Sequence, residues 1–384
     1  MKVSLTDICD FQGGTQPPKD EWIDQPAQGY VRMLQIRDFT QSDKNYIEYV
    51  KDTGKLKTCI EDDILIGRYG ASIGKILTGL AGAYNVAIVK TIPDEKVVSK
   101  KYLYWYLNSQ YFQRFISNVG SRAAQAGFNK NDLGAAQIPL VDKERQEEIC
   151  EVLEKANKLI SLRKQQLAKL DALVKVRFVE MFGDFEFNPK EFPVYHLCEL
   201  CDVGSSKRIY QEEQRISGIP FLKVADLNEL IDTGKYSCST FIPLERYEQL
   251  LHKELTPTEN DILITSRGTL GKCYIVQSDD EFYFQDGMIS WLSNFSPKVS
   301  SIYISYLFAQ PYIQKQIESL QAGSTVAYLS IAMLKKINVI LPPKKLQDDF
   351  ATFVEHVDQQ KQTVQQSLEK LELMKKALMQ EYFG

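Results

Sequence analysis

Two segments of this sequence place an arginine, a hydroxyl and a lysine around glycines, directly behind an acid-led apolar run. The first runs from Asp63 through Ile64, Leu65, Ile66 and Gly67 to Arg68, then through Tyr69, Gly70, Ser72 and Gly74 to Lys75. The second runs from Asp261 through Ile262, Leu263 and Ile264 to Ser266 and Arg267, then through Gly268, Thr269 and Gly271 to Lys272. Glycine lets a backbone approach another chain closely. Amide and hydroxyl groups then make short contacts to phosphate oxygens, and arginine and lysine add charge. The same spacing suits a tight turn in a duplicated core, and the two readings are compatible.

Two further pairs of polar loops follow the same frame. Gly13 and Gly14 precede Thr15 and Gln16, and Gly204 and Ser205 precede Ser206, Lys207 and Arg208. Residues 120–130 contain Arg122, Gln125, Asn129 and Lys130, and residues 323–330 contain Ser324, Thr325 and Tyr328. Arginine, glutamine and asparagine read base edges bidentately, while serine and threonine suit phosphates.

Motifs for catalysis are missing. No phosphate-binding G-x-x-x-x-G-K-[ST] occurs, since Ile76 follows Gly74-Lys75 where a hydroxyl is required. No G-x-G-x-x-G occurs, and no Asn-Pro-Pro-Tyr/Phe tetrapeptide of amino-methyltransferases. The three histidines, His196, His252 and His356, are scattered, which leaves nucleophilic triads unsupported. Cys198 and Cys201 form a C-x-x-C pair with no second pair or histidine at ligand spacing, so no metal is expected. The odd count of seven cysteines, without scaffold spacing, predicts reduced thiols. The chain is therefore read as doing no chemistry itself. A degenerate DNA methyltransferase and a coiled-coil scaffold binding only protein are the alternatives; the missing tetrapeptide opposes the first and the paired loops oppose the second.

The elements that must position these loops repeat. Ser4–Phe11 resembles His196–Val203, Val31–Asp38 resembles Ile219–Asp226, and the acid-led runs match in turn. Short apolar runs bounded by glycine or aspartate predict buried strands, among them Ile64–Ile66, Ala87–Val89, Ile262–Ile264 and Tyr274–Val276. Tyr102–Phe115 and Ile302–Ile317 read as helices whose aromatic stripes belong to the core. Each domain is thus α+β.

Each copy ends in a long amphipathic segment. In the first, Ile149, Leu153, Ala156, Ile160, Leu167, Leu170, Val174 and Met181 fall at steps of three and four, with Arg163 and Arg177 in the gaps. Adding 201 gives Phe350, Val354, Val357, Lys361, Val364, Leu368, Leu371, Lys375, Leu378 and Tyr382 in the second. Such a seam over five heptads predicts a coiled coil. Asp142 is placed to cap the first helix and Pro342-Pro343 to open the second. The resulting division is 1–141, a globular domain; 142–183, a long helix; 184–341, a second domain; and 342–384, a second long helix.

Charge gives little hint of nucleic acid. Residues 1–140 carry 17 basic against 15 acidic groups, whereas residues 184–341 carry 14 against 20, within a total of −4. Local basic loops, or a partner, must then neutralise phosphates. No apolar run approaches the roughly 20 residues of a membrane span, and the N-terminal segment lacks a signal-peptide core. A cytoplasmic location without membrane attachment is expected.

Over its whole length the layout resembles the DNA-specificity subunit of Type I restriction–modification systems. The residues carrying the resemblance are the two acid-led segments with Arg68, Lys75, Arg267 and Lys272, the Gly323-Ser324-Thr325 turn, Gln146 and Gln347 near the helix starts, and the Phe-Gly helix ends. The first copy departs from it, with Gly67 opposite Thr265/Ser266 and Gly-Ser-Arg instead of Gly-Ser-Thr. The resemblance implies two tandem target-recognition domains separated by two long helices forming an antiparallel coiled coil. Each domain would read one half of a bipartite double-stranded DNA site. The partners it implies are two copies of a methylation subunit, which uses S-adenosylmethionine, and a nucleolytic motor subunit for restriction. No cofactor is implied in this chain. At ~1.5 Å per residue the 39 residues from Glu144 to Phe182 span about 58 Å, or roughly 17 stacked base pairs before the domains' own reach is subtracted.

Overall fold

The computed structural model describes residues 1–41, 47–122, 127–321 and 327–384, with backbone alone for residues 120–122. The fold is α+β and internally duplicated. It divides into two compact units, Met1–Gln166 with Val364–Gly384, and Leu167–Thr363.

In the first unit, strands Cys9–Gly13, Ile88–Pro93, Leu65–Gly67 and Ile76–Leu77 form an antiparallel sheet in that order. A second sheet pairs Tyr30–Leu34 in parallel with Gly82–Tyr84. The second unit repeats this plan: Asp202–Ser205, Ile289–Ser293, Ile262–Thr265 and Cys273–Ile275 make the antiparallel sheet, and Ile219–Leu222 pairs in parallel with Tyr283–Phe284. Strands Leu65–Gly67 and Ile262–Thr265 are buried throughout, which explains their unbroken apolar runs.

The aromatic segments are core, as their patterns predict, but each forms two helices instead of one. Lys100–Leu107 and Gln110–Arg122 are separated at Asn108 and Ser109, and Ser301–Phe308 and Pro311–Leu320 at Ala309 and Gln310. The physical cause is local. Ser109 Oγ accepts the Phe112 amide at 3.2 Å, and Pro311 fits only a first turn.

The long helices are Lys143–Phe182 and Lys344–Phe383, 40 residues each. Asp142 caps the first by accepting the Arg145 amide at 2.8 Å. They pair as an antiparallel coiled coil. In the first unit, Lys164 bonds Glu372 at 2.9 Å and Lys375 bonds Asn157 at 2.7 Å. In the second, Lys361 bonds Asp171 at 2.8 Å. Of the charged residues in the seams, the lysines thus reach the facing helix. Arg163 and Arg177 bond Gln166 and Glu180 on their own helix, although Arg177 also lies over the Phe353 ring. The second-unit seam is completed by Phe178, fully buried beside Arg177 and edge-on to Phe350 at 5.3 Å.

One polar contact fixes each helix to its domain. Gln146, 1% exposed, accepts the Ser99 amide at 2.9 Å and donates to Val97 and Val141 carbonyls at 2.9 and 3.0 Å. Gln347, 0% exposed, repeats this on Ser300, Lys298 and Pro342 at 2.9, 3.0 and 2.7 Å. Every partner is displaced by 201 positions. Near each clamp the helix end Phe-Gly supplies an aromatic plug: Phe383 packs on Tyr102 with centroids 5.2 Å apart, and Phe182 on Tyr303 at 5.0 Å. The segment following the first helix is not an idle linker, because Phe185 is buried against Phe178 and Tyr303.

Replacing Gln347 by leucine leaves one buried amide and two carbonyls unpaired. Since an unsatisfied buried group costs about 1–3 kcal/mol, Gln347→Leu is expected to lower unfolding free energy by at least about 2 kcal/mol in urea titration. A loss under about 0.5 kcal/mol would contradict the clamp.

Candidate nucleic-acid interface

The antiparallel sheets bring the polar loops to one end. In the first unit, strands ending at Gly13 and Gly67 and the strand beginning at Ile88 finish side by side, with Gly13 facing Val89 and Gly67 facing Ile88. In the second, Ser205 faces Ser290 and Thr265 faces Ile289. The third loop of each unit joins this end through backbone bridges, Tyr69 with Gly127 and Arg267 with Tyr328.

Within the first unit, Arg68 is half-buried. Its Nε donates to the Phe128 carbonyl at 2.8 Å, and its guanidinium lies 5.0 Å from the Tyr69 ring centre. A Cβ on Gly13 would lie 3.8 Å from Arg68 Nη1, so the first loop borders this side chain. Gln16, Tyr69 and Lys75 are exposed, and Thr15 and Ser72 partly so. Asn129 caps the short helix Lys130–Leu133, and Lys130 ion-pairs with Asp10. That contact holds the Asp10 carboxyl below the usual carboxylate range.

The second unit distributes its cations differently. Arg267 is exposed, with a 3.7 Å contact to Met288 Sδ, whereas Lys272 is held by both Asp232 oxygens at 2.7 and 2.8 Å. Arg208 bonds Asp286 at 2.9 Å, and Lys207, Thr269 and Tyr328 are exposed. Each unit therefore ties one cation of its arginine–lysine pair into the fold and presents the other to solvent.

Two predicted contact residues face inward. Ser206 is 8% exposed and donates to the Phe284 carbonyl at 2.6 Å; Ser266 is 1% exposed and bonds Ser290 Oγ at 2.7 Å. Both hydroxyls are committed inside the sheet, where they hold loops in place. Of the predicted positions, Gln125, Ser324 and Thr325 lie outside the described residues, and Arg122 is described by its backbone in a helix.

One further loop in each unit reaches this end without an arginine–glycine–lysine or polar-loop pattern in the sequence. Residues 85–87 lie next to Arg68, whose amide donates to the Ala87 carbonyl at 2.8 Å, and Val86 is 40% exposed. Residues 286–288 lie next to Ser266, whose amide donates to the Met288 carbonyl at 2.9 Å. The available signal was a turn chemistry of Asn85 and Asp286-Gly287 between apolar runs.

At the foot of the loops the two leading acids differ. Burial raises the Asp63 carboxyl, but the Ile60 amide with Lys90 and Lys100 outweighs it and leaves the group below its ordinary value. Asp261 is raised by burial, against hydrogen bonds from Thr258 and Trp291. Among the described residues no cluster of His, Cys, Asp or Glu could hold a metal ion, and no helix is long and apolar enough to cross a membrane.

The geometry makes particular glycines obligatory. Gly74 and Gly271 have φ of 75° and 77°, and a Cβ there would lie 2.5 Å from Ile116 and 2.8 Å from Ile317. Gly268 has φ of 77° with open space around it. Gly74→Ala and Gly271→Ala are each expected to cost about 2–3 kcal/mol, and Gly268→Ala about 1 kcal/mol, in thermal or urea unfolding. Equal costs at Gly268 and Gly271 would contradict the packing.

Comparison with known proteins agrees over the whole chain. The family model described as the Type I restriction modification DNA specificity domain matches twice, at residues 1–172 and 189–373. The Type I restriction enzyme MjaVIII specificity subunit of Methanocaldococcus jannaschii is 25% identical over 98% of this chain and 90% of its own length. The MjaIX specificity subunit of the same organism is 22% identical over 91% and 85%. Among solved structures, a chain of a type I R-M system superposes with TM-score 0.61 at 14% identity, covering 100% of this chain and 97% of that one. The S subunit from M. genitalium gives 0.59 at 16%, covering 100% and 96%. At those identities the two structures share the fold alone.

Proposed function

We propose, because the chain belongs to the family of Type I restriction modification DNA specificity domains, that it supplies the sequence reading of a type I restriction–modification complex. It is a specificity subunit with two DNA-recognition domains. The observation that carries the reading is the repeated frame, in which each unit gathers an arginine–glycine–lysine loop and two polar loops at one end of an antiparallel sheet.

In this reading, residues 1–141 and 184–341 each contact one half of a bipartite site, and the helices at 142–183 and 342–384 set the unread gap. A 40-residue helix is about 60 Å long. In the first half-site, Thr15, Gln16, Arg68, Tyr69, Ser72, Lys75, Arg122, Gln125, Asn129 and Lys130 form the contact set. In the second it is Lys207, Arg208, Arg267, Thr269, Lys272, Ser324, Thr325 and Tyr328, with Ser206 and Ser266 positioning them. Lys75 and Arg267 reach phosphates directly. Lys130, Arg208 and Lys272 must first exchange Asp10, Asp286 and Asp232 for phosphate, which makes the contacts conditional on close fit.

The chain performs no methyl transfer or cleavage itself. Two copies of a methylation subunit bind the two similar units and carry S-adenosylmethionine, and a nucleolytic motor subunit joins for restriction. The partners also enclose the DNA and offset the acidic balance of residues 184–341. The supports are the duplicated sequence and the absence of catalytic motifs.

The test uses the chain with its methylation subunit and a DNA carrying the mapped methylated site. Arg68→Ala and Arg267→Ala should each weaken binding and alter protection of one half-site only, and Arg267→Ala, which removes a phosphate contact, should also reduce the slope of log affinity against log salt by about 1. Unchanged affinity and footprint for both variants at physiological salt would refute the loop assignment. Methyl transfer by the purified chain alone would refute the non-catalytic role.

A further inference from the structure

A cavity of about 550 Å³ lies in the first unit against the paired helices, and its lining includes none of the candidate DNA-contact residues. Its walls include Trp105, Tyr111, Asn157, Lys164, Lys375 and Met379. This volume is within the ~300–1,000 Å³ range of small-molecule sites. Lys375 Nζ sits 5.2 Å from the Trp105 ring centre and donates to Asn157 Oδ1 at 2.7 Å. Among the described residues no carboxylate ion-pairs with it. Glu372, one turn away, is bound to Lys164 at 2.9 Å. With Lys376 also on the wall, three lysines line the cavity beside two carboxylates, that of Glu372 and the terminal one of Gly384, and an oxygen of Gly384 accepts Lys2 Nζ at 3.3 Å.

The duplicated unit supplies an internal reference. At the positions of Asn157 and Glu372 the second unit has Asp358 and Asp171, and its seam lysine, Lys361, bonds both, at 3.5 and 2.8 Å. Val174 stands where the first unit has Lys375, and fully buried Phe178 stands where it has Met379. Against burial, the two aspartates raise the Lys361 ammonium above its ordinary value. Burial and then Lys164 lower that of Lys375, which Glu372 only partly opposes. The second unit thus neutralises its lysine internally, and the first leaves a half-buried lysine beside an open aromatic cavity.

We propose that this cavity is a binding site for a planar organic anion, its phosphate or carboxylate on Lys375 and Lys164 and its ring between Trp105, Tyr111 and Met379. Lysine serves phosphate and carboxylate as a point charge, and an indole face accepts a flat ring. The site shares no lining residue with the polar loops, so binding there is independent of the loop cations.

The experiment is calorimetric titration of the full chain with AMP, and with adenosine as the uncharged control. One AMP per chain is expected, with adenosine at least tenfold weaker. Lys375→Val, a side chain the second unit already carries at this position, should weaken AMP at least tenfold. Glu372→Gln, which removes the carboxylate that occupies Lys164, should tighten it several-fold. Lys361→Met should leave it unchanged. Absence of AMP binding, insensitivity to both first-unit variants, or loss on Arg68→Ala or Arg267→Ala would overturn the site. Should Lys375→Val fail to fold, the direction of the Glu372→Gln effect decides.

Discussion

A buried glutamine at the start of each long helix is the constraint on which the rest of the structure depends. Gln146 and Gln347 each satisfy one amide and two carbonyls that the surrounding aromatic core would otherwise strand. Glutamine is suited to this because its side chain both accepts and donates. The clamp spans three segments: the loop before the aromatic helices, the short link at Val141 or Pro342 that leads into the long helix, and the helix itself. Its satisfaction fixes the angle at which the helix leaves the domain. Apolar contacts alone, being non-directional, would fix that angle far less tightly. The aromatic plug of Phe182 or Phe383 then packs nearby, so polar direction and apolar burial reinforce one another.

The parts of the fold legible in the sequence were those written as periodicity. Two seams in one register, offset by 201, gave the paired helices, and repeated acid-led runs gave the duplicated sheets. What stayed hidden depended on which way a side chain points. Arg177 occupies the heptad position, yet Phe178 beside it fills the core, because an aromatic ring in that region meets Phe350 and Tyr306. Ser206 and Ser266 look like surface hydroxyls, but cross-strand neighbours turn them inward. Phe185 lies just before Pro189 and Pro193 in a stretch without periodicity, and only the folded unit shows the aromatic nest that captures it. At the candidate interface the frame was readable and the state of each cation was not, since the binding of Lys272 to Asp232 joins residues 40 positions apart.

That difference in cations shows how a duplicated protein diverges. The backbone frame is held by obligatory glycines and buried bonds. The charged tips are free to be tied down in one copy and released in the other. Changing a single acid partner alters what a loop offers without disturbing the sheet beneath it. Reading surfaces can therefore vary rapidly on a scaffold that hardly varies.

The composition of the two units has a consequence for synthesis. Leu167–Thr363 is one contiguous stretch, so its core, including the Phe182 plug, is complete once residue 363 has left the ribosome. The first unit begins earlier but finishes later, because Phe383 must still reach Tyr102, which is 281 positions upstream in the chain. The usual order, in which the N-terminal unit matures first, is inverted here. A chain that stops between Val364 and Tyr382 has a second unit that is whole and a first that exposes an unfilled aromatic socket.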